Sequence, residues 1–241
     1  MMTLNTLSEK RTDSEARVFW RTGTTKKGIL DVKLDFEHED AALIAELIAL
    51  QYLLFEKKVF NREPGSGNGY KLVVSKGAIK KLALGKSNKK HAVKFAAFLT
   101  NRMKGVAIEV SQSRDLMATP EEQAPEVLHG NREVYARTFD PVETPAMGTI
   151  LVTQHAVDRY QERITSGDPK KPWASLVGRL MHPELRKIDP GKRVLAHKAR
   201  KYGDDNKTEY WSHPTSSFVY QVLRESSGEG ILVTVYERRD D

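Results

Sequence analysis

No cysteine occurs among the 241 residues, which excludes a disulfide framework, thiolate-bound zinc and a thiol nucleophile together. A long hydrophobic run is also missing. The longest apolar stretch, ALIAELIALQYLLF, is too short to span a bilayer and is interrupted by Glu46. No charged start leading into an apolar run opens the sequence, so no secretory signal is expected. These absences point to a soluble, cytoplasmic protein without a membrane partner. A third absence is local: between Glu63 and Glu109 there is no acidic side chain at all.

That acid-free interval is rich in the opposite charge. It carries Lys71, Lys76, Lys80, Lys81, Lys86, Lys89, Lys90, Lys94, Arg102 and Lys104, in a chain where Lys and Arg exceed Asp and Glu only 39 to 32. One reading is a solvated face whose charge maintains solubility. The other is a phosphate-binding surface, because counterion release rewards clustered cations regardless of base sequence. On the second reading Lys76, Lys80, Lys81, Lys86, Lys89, Lys90 and Lys94 are candidate nucleic-acid contacts.

Charge also divides the chain. Residues 1–114 hold 21 basic and 12 acidic side chains, residues 115–148 hold 2 and 7, and residues 149–241 hold 16 and 13. With 39% apolar content, a chain of this length can close two ordinary cores. The expected organisation is a frayed N-terminus at 1–16, a first domain at 17–114, an acidic linker at 115–148 and a second domain at 149–241. Pro120, Pro125, Pro141 and Pro145 mark the linker. The expected fold class is α+β.

Within 17–114 the apolar period changes in an orderly way. ARVFWR and ILDVKLDF alternate as hairpin strands, AALIAELIALQYLLFEK has the helical period, and YKLVVS is a strand. AIKKLALG and KKHAVKFAAFLTNRM then read as helices and GVAIEVSQ as a closing strand. The intervening GSGNG reads as a turn or, less simply, as a phosphate loop. This order resembles the ribonuclease H-like fold, a mixed sheet with helices. Ala45, Glu46, Leu47, Ala49 and Leu50 are similar to the AEL-x-AL signature of its first helix, and LVVSKGAIKKLALG to the following strand and helix. The resemblance implies a metal site built from an acid on the first strand, the helix Glu and an acid ending the fourth strand. Here ARVFWR has no acid and the fourth strand ends in Ser75 and Lys76, while Asp31 and Asp35 lie on the next strand. The expectation is a nucleic-acid-binding shape without magnesium chemistry, and no metal or other cofactor.

The second domain starts TILVTQHAVDRYQERI, a strand and then a helix on which His155, Arg159 and Arg163 recur every fourth residue. PWASLVGRLMHPEL follows as a helix. KRVLAHKARKY, KTEYWSHP, SSFVYQVLRES and GILVTVYERR read as an antiparallel sheet. Helices followed by such a sheet, with the H-A-x-x-R-x-x-x-R pattern, resemble the RelE/barnase-type toxin-like ribonucleases. The resemblance implies metal-independent RNA cleavage, with His155 as base and Arg159 and Arg163 on the phosphate. Lys198, Arg200, Lys201, Tyr202 and Tyr210 would line the opposite wall. Two plainer readings stay open: His155 as a helix cap or core residue with Arg159 paired to Asp158 or Glu162, and the sheet aromatics as core filling.

The leading expectation is an RNA-binding protein made of two nuclease-like modules, with DNA as a second candidate ligand. The alternatives are an active endoribonuclease and a protein-interaction or inhibitor module of nuclease-like shape. Oligomeric state is left open.

Overall fold

Alternation at the very start of the chain makes its first strand. β1, Met2–Lys10, turns Leu4 toward one core and Leu7 toward another, so Thr6 and Ser8 share the Leu4 face. The computed structural model describes residues 1–164, 171–190 and 207–238. The chain divides into two units, Met1–Thr138 and Phe139–Asp241.

In the first unit β1 is followed by the hairpin of β2, Glu15–Thr22, and β3, Lys26–Leu34, whose register pairs Phe19 with Ile29 and Arg17 with Asp31. Helix α1, Ala41–Gln51, is buried from Ala41 through Leu50. An apolar surface on every side is the mark of a helix enclosed by the protein. A π-helical turn, Tyr52–Glu56, extends it. β4, Tyr70–Val74, leads into α2, Gly77–Ala83. A short helix α3, Ala97–Thr100, precedes β5, Ala107–Val110. β6, Glu126–Gly130, and α4, Arg132–Tyr135, complete the unit. The sheet order is β5-β4-β1-β2-β3-β6. β1, β4 and β5 run parallel, β2 is antiparallel to both β1 and β3, and β6 is parallel to β3.

Three expectations change here. Residues 1–16 do not fray, because β1 lies inside the sheet with β2 on one side and β4 on the other. The stretch KKHAVKFAAFLTNRM is not one helix. It breaks into a 3-10 turn at Lys90–Ala92 and the four residues of α3. The acidic stretch 115–148 is not a bare linker, since it supplies β6 and α4. Glu126 on β6 bonds both Tyr52 Oη and Lys57 Nζ at the end of the long helix, which ties the acidic stretch to the first core.

The second unit opens with the hairpin of β7, Asp140–Thr144, and β8, Gly148–Val152. Gly148 takes the left-handed conformation that the tight turn requires, with φ of 68°. α5, Gln154–Arg163, is capped by Thr153, whose Oγ1 accepts from the Ala156 N–H at 3.1 Å. α6, Pro172–Leu180, starts with proline in its first turn. β9, Arg186–Lys187, β10, Thr208–Ser212, β11, Phe218–Arg224, and β12, Gly230–Glu237, follow. The order is β7-β8-β12-β11-β10-β9. The expected antiparallel sheet is therefore mixed, because β8 comes before the helices and pairs parallel with β12. Trp173, Leu176, Leu180, Tyr160 and Tyr220 fill its core. The segment KRVLAHKARKY, expected as a strand, lies outside the described residues. No helix among the described residues is long and apolar enough to cross a membrane.

Candidate functional site

The acid-free stretch follows β4. Lys76 is the residue before α2, Lys80 and Lys81 lie in its last turn, and Lys86, Lys90 and Lys94 occupy the chain leading to α3. Lys80, Lys81, Lys86, Lys90 and Lys94 are exposed and Lys76 is half-buried. Among the described residues none of these six forms an ion pair, although Glu109, held down first by Lys71, also feels the charge of Lys80. Lys80 and Lys81 also suit the negative end of α2. Leu84 and Val93 lie exposed among these lysines.

Lys89 belongs to a different arrangement. Its Nζ lies 2.7 Å from Asp40 Oδ2, and Lys71 and Arg102 pair with Glu109 and Glu63. Lys89 is thus compensated where the sequence suggests a free cation. The hydrogen bond from Lys89 holds the Asp40 carboxyl below its ordinary value. The rings of His38 and His91 lie beside it, tilted at 31° with centroids 4.0 Å apart. Burial and the neighbouring His38 push the His91 imidazole down, against the pull of Asp40.

Glu46 sits at the centre of the first unit, fully buried on α1. Its Oε1 accepts from Thr6 Oγ1 at 2.8 Å and from the Ser75 N–H at 2.7 Å. Its Oε2 accepts from Ser8 Oγ at 2.9 Å and from Ser75 Oγ at 2.6 Å. Four donors fill the carboxylate, and no cation pairs with it among the described residues. Burial pushes the Glu46 carboxyl up, against the hydrogen bonds from Ser75, Thr6 and Ser8. Neither Asp31 nor Asp35 approaches this group. Asp31 shares its strand face with Ile29, away from α1, and is gripped by Arg17 through two hydrogen bonds of 2.7 Å. Asp35 accepts from the Arg132 N–H at 3.3 Å. Thr6 and Ser8 escape a reading of the sequence because the start of the chain looks like a frayed end. The alternation of Leu4, Thr6 and Ser8 against Leu7 is the signal that could have found them.

Within the GSGNG cluster, Gly67 serves packing. A Cβ on Gly67 would meet Met103 O at 2.2 Å and Val106 N at 2.3 Å, so another stretch of backbone fills the space a phosphate would need.

The helix face of the second unit is only partly presented. His155 is exposed at the start of α5. Arg159 Nη1 pairs with Glu162 Oε2 at 2.8 Å, and half-buried Arg163 donates to the Val235 carbonyl of β12. Helical spacing places the three on one side, but both guanidinium groups are engaged within the unit. Tyr210, expected on the opposite wall, is buried and is not a surface for base stacking. Lys198, Arg200, Lys201 and Tyr202 lie outside the described residues. No family model, no curated protein and no solved structure matches the chain.

Proposed function

We propose that the chain is an RNA-binding protein whose first unit is a ribonuclease H-like module without metal chemistry, contacting phosphates through the lysines after β4. The observation that carries this reading is the run of Lys76, Lys80, Lys81, Lys86, Lys90 and Lys94 without ion-pair partners among the described residues. Phosphates are the anions such a surface would recruit, and the released counterions would supply most of the affinity. Two further observations support the fold assignment. The order β3-β2-β1-β4-β5, with β1, β4 and β5 parallel and β2 antiparallel, is a mixed sheet with helices of the kind the resemblance implies. Thr6, Ser8 and Ser75 surround Glu46 where that resemblance would gather carboxylates. Hydroxyls there satisfy one buried Glu but cannot supply the anionic oxygens that hold magnesium.

The second unit is proposed as a RelE/barnase-like module that contacts RNA without cleaving it. Engagement of Arg159 and Arg163 within the unit leaves His155 without a displayed pair of phosphate forks.

The test is binding of a single-stranded RNA by fluorescence anisotropy across a salt series. Changing Lys80, Lys81, Lys86, Lys90 and Lys94 together to Glu should weaken binding on every sequence. The salt slope should flatten by about 0.7 for each phosphate that the variant no longer neutralises. An unchanged slope and affinity would reduce the stretch to a solvated face. Equal weakening with duplex DNA would widen the ligand from RNA to nucleic acid in general.

A further inference from the structure

Among the described residues, two clusters bring imidazole and carboxylate donors close together: His38, Asp40 and His91, and His182, Glu184 and His213. In the first, the Lys89 ammonium already sits 2.7 Å from Asp40 Oδ2, where an added cation would meet it. The second differs. Glu184 carries no ammonium or guanidinium partner among the described residues. Its Oε2 faces His213 Nε2 at 3.1 Å.

We propose that His182, Glu184 and His213 form a divalent transition-metal site, matched to zinc, whose open position faces a cavity suited to an oxyanion ligand. The donor atoms of the three residues lie within 4.8 Å of one another. Ligands at about 2.0–2.1 Å around a tetrahedral zinc stand about 3.3 Å apart. The His213–Glu184 pair is already at that separation. A movement of about 1.5 Å at most brings in the His182 ring, which is exposed just beyond the end of α6. The two rings meet edge to face, with centroids 4.1 Å apart and planes at 78°.

The supports are rigid on both sides. His182 follows α6, whose Leu176 and Leu180 are fully buried. His213 follows β10, which is held between β9 and β11. The outer nitrogen of His213 has a partner of the kind that orients a metal-bound imidazole. Its Nδ1 lies 3.0 Å from Thr215 Oγ1, which can accept the hydrogen bond of Nδ1–H when Nε2 binds metal. The backbone N–H groups of Glu184 and Thr215 reach His182 and His213 Nδ1 only at 3.3 Å, and the Thr215 N–H contact is given up when His213 Nδ1 carries the proton and Nε2 binds the metal. Without cysteine in the chain, imidazole nitrogen and carboxylate oxygen are the donors that remain for zinc.

Three protein ligands leave one tetrahedral position open, the pattern of sites that bind water or substrate. A cavity of about 340 Å³ adjoins the cluster, lined by Arg179, Thr215, Ser216, Phe218 and both histidines. Arg179 is fixed by donating to Tyr160 Oη at 2.7 Å and by lying 5.1 Å over the Phe218 ring. A positioned guanidinium and hydroxyl donors beside a cation would select a phosphate or carboxylate group. This site belongs to the second unit and does not rest on the proposed RNA-binding lysines of the first.

The experiment titrates the untagged full chain with cobalt(II), followed by its visible bands, and then displaces the cobalt with zinc. One ion per chain in a tetrahedral spectrum is expected. His213→Ala and Glu184→Gln should each abolish it, and Thr215→Val should weaken it by about tenfold or more. Glu184 is largely exposed, so its substitution tests the site without threatening the fold. His91→Ala should leave the titration unchanged. No binding by the native chain, binding that survives the Glu184 and His213 changes together, or binding abolished only by His91→Ala overturns the assignment. Inorganic phosphate should shift the cobalt bands, and unshifted bands would remove the oxyanion part.

Discussion

Glu46 illustrates how one carboxylate can be held in a core with no anionic neighbour or counter-charge among the described residues. Each of its oxygens takes two hydrogen bonds, yet burial drives its pKa upward. A raised carboxyl favours the folded state below the ordinary Glu value and loses that contribution as pH climbs through the folded value. Glu46→Gln keeps the shape and turns an amide toward hydroxyls that can also accept. Denaturant melts should therefore find the variant at least as stable as the native chain at neutral pH, with the advantage fading as pH falls toward about 4.5. Magnesium should change neither protein's melting temperature, and RNA affinity should be unaffected by the substitution. Magnesium stabilisation of the native chain that disappears in Glu46→Gln would mean the hydroxyl cage does hold metal. This site is half legible in the sequence: Glu46 stands out there, whereas Thr6 and Ser8 acquire meaning only once β1 is placed beneath α1.

Elements with strong periods are readable, and those defined by distant partners are not. The hairpin of β2 and β3, the long helix α1 and the strands β4, β5, β8, β10, β11 and β12 follow their alternation or helical spacing. β6 does not stand out, since its Val127 is exposed while Leu128 is buried and its identity depends on pairing with β3. β9 has two residues and is defined only by β10. Glu209 on β10 shows how side chains join such elements. It receives Arg224 and Lys187 at 2.6 Å and Trp211 Nε1 at 3.0 Å, joining β9, β10 and β11. Burial alone would push its carboxyl up, but the hydrogen bonds from Arg224, Lys187 and Trp211 outweigh it and hold the pKa at about 2. Such a depressed group stabilises the fold above its unfolded value and loses that contribution as pH falls toward the folded one. Glu209→Gln should cost about 2 kcal/mol at neutral pH, the scale of charge-assisted hydrogen bonds in a part-buried site. The deficit should shrink between about 4.5 and about 2 on acid titration. A deficit constant through that interval would show that Glu209 is held by packing rather than charge.

At the scale of the molecule, the break in charge along the sequence suggests domains at 17–114 and 149–241, whereas the structure divides into Met1–Thr138 and Phe139–Asp241. Acidity and proline make 115–148 look like a connection, while the actual division falls between Thr138 and Phe139. β6 belongs with the first sheet and β7 with the second, so the acidic stretch is shared between two folded bodies. Each unit has its own apolar cluster, one around α1 and one around Tyr160 and Tyr220, which is the physical requirement for folding alone. A fragment of residues 1–138 should then melt cooperatively, whereas a cut at 114, which removes β6 and α4, should leave Leu34, Tyr52 and Ile48 less well covered and lower the melting temperature. The proposed phosphate-binding lysines all lie within 1–138. That fragment should accordingly retain most of the salt slope of RNA binding, and the fragment of residues 139–241 should contribute a weaker, shallower component. If 139–241 instead carries the full slope, the lysines after β4 are a solvated face, and the nucleic-acid surface must be sought among the cations of the second unit.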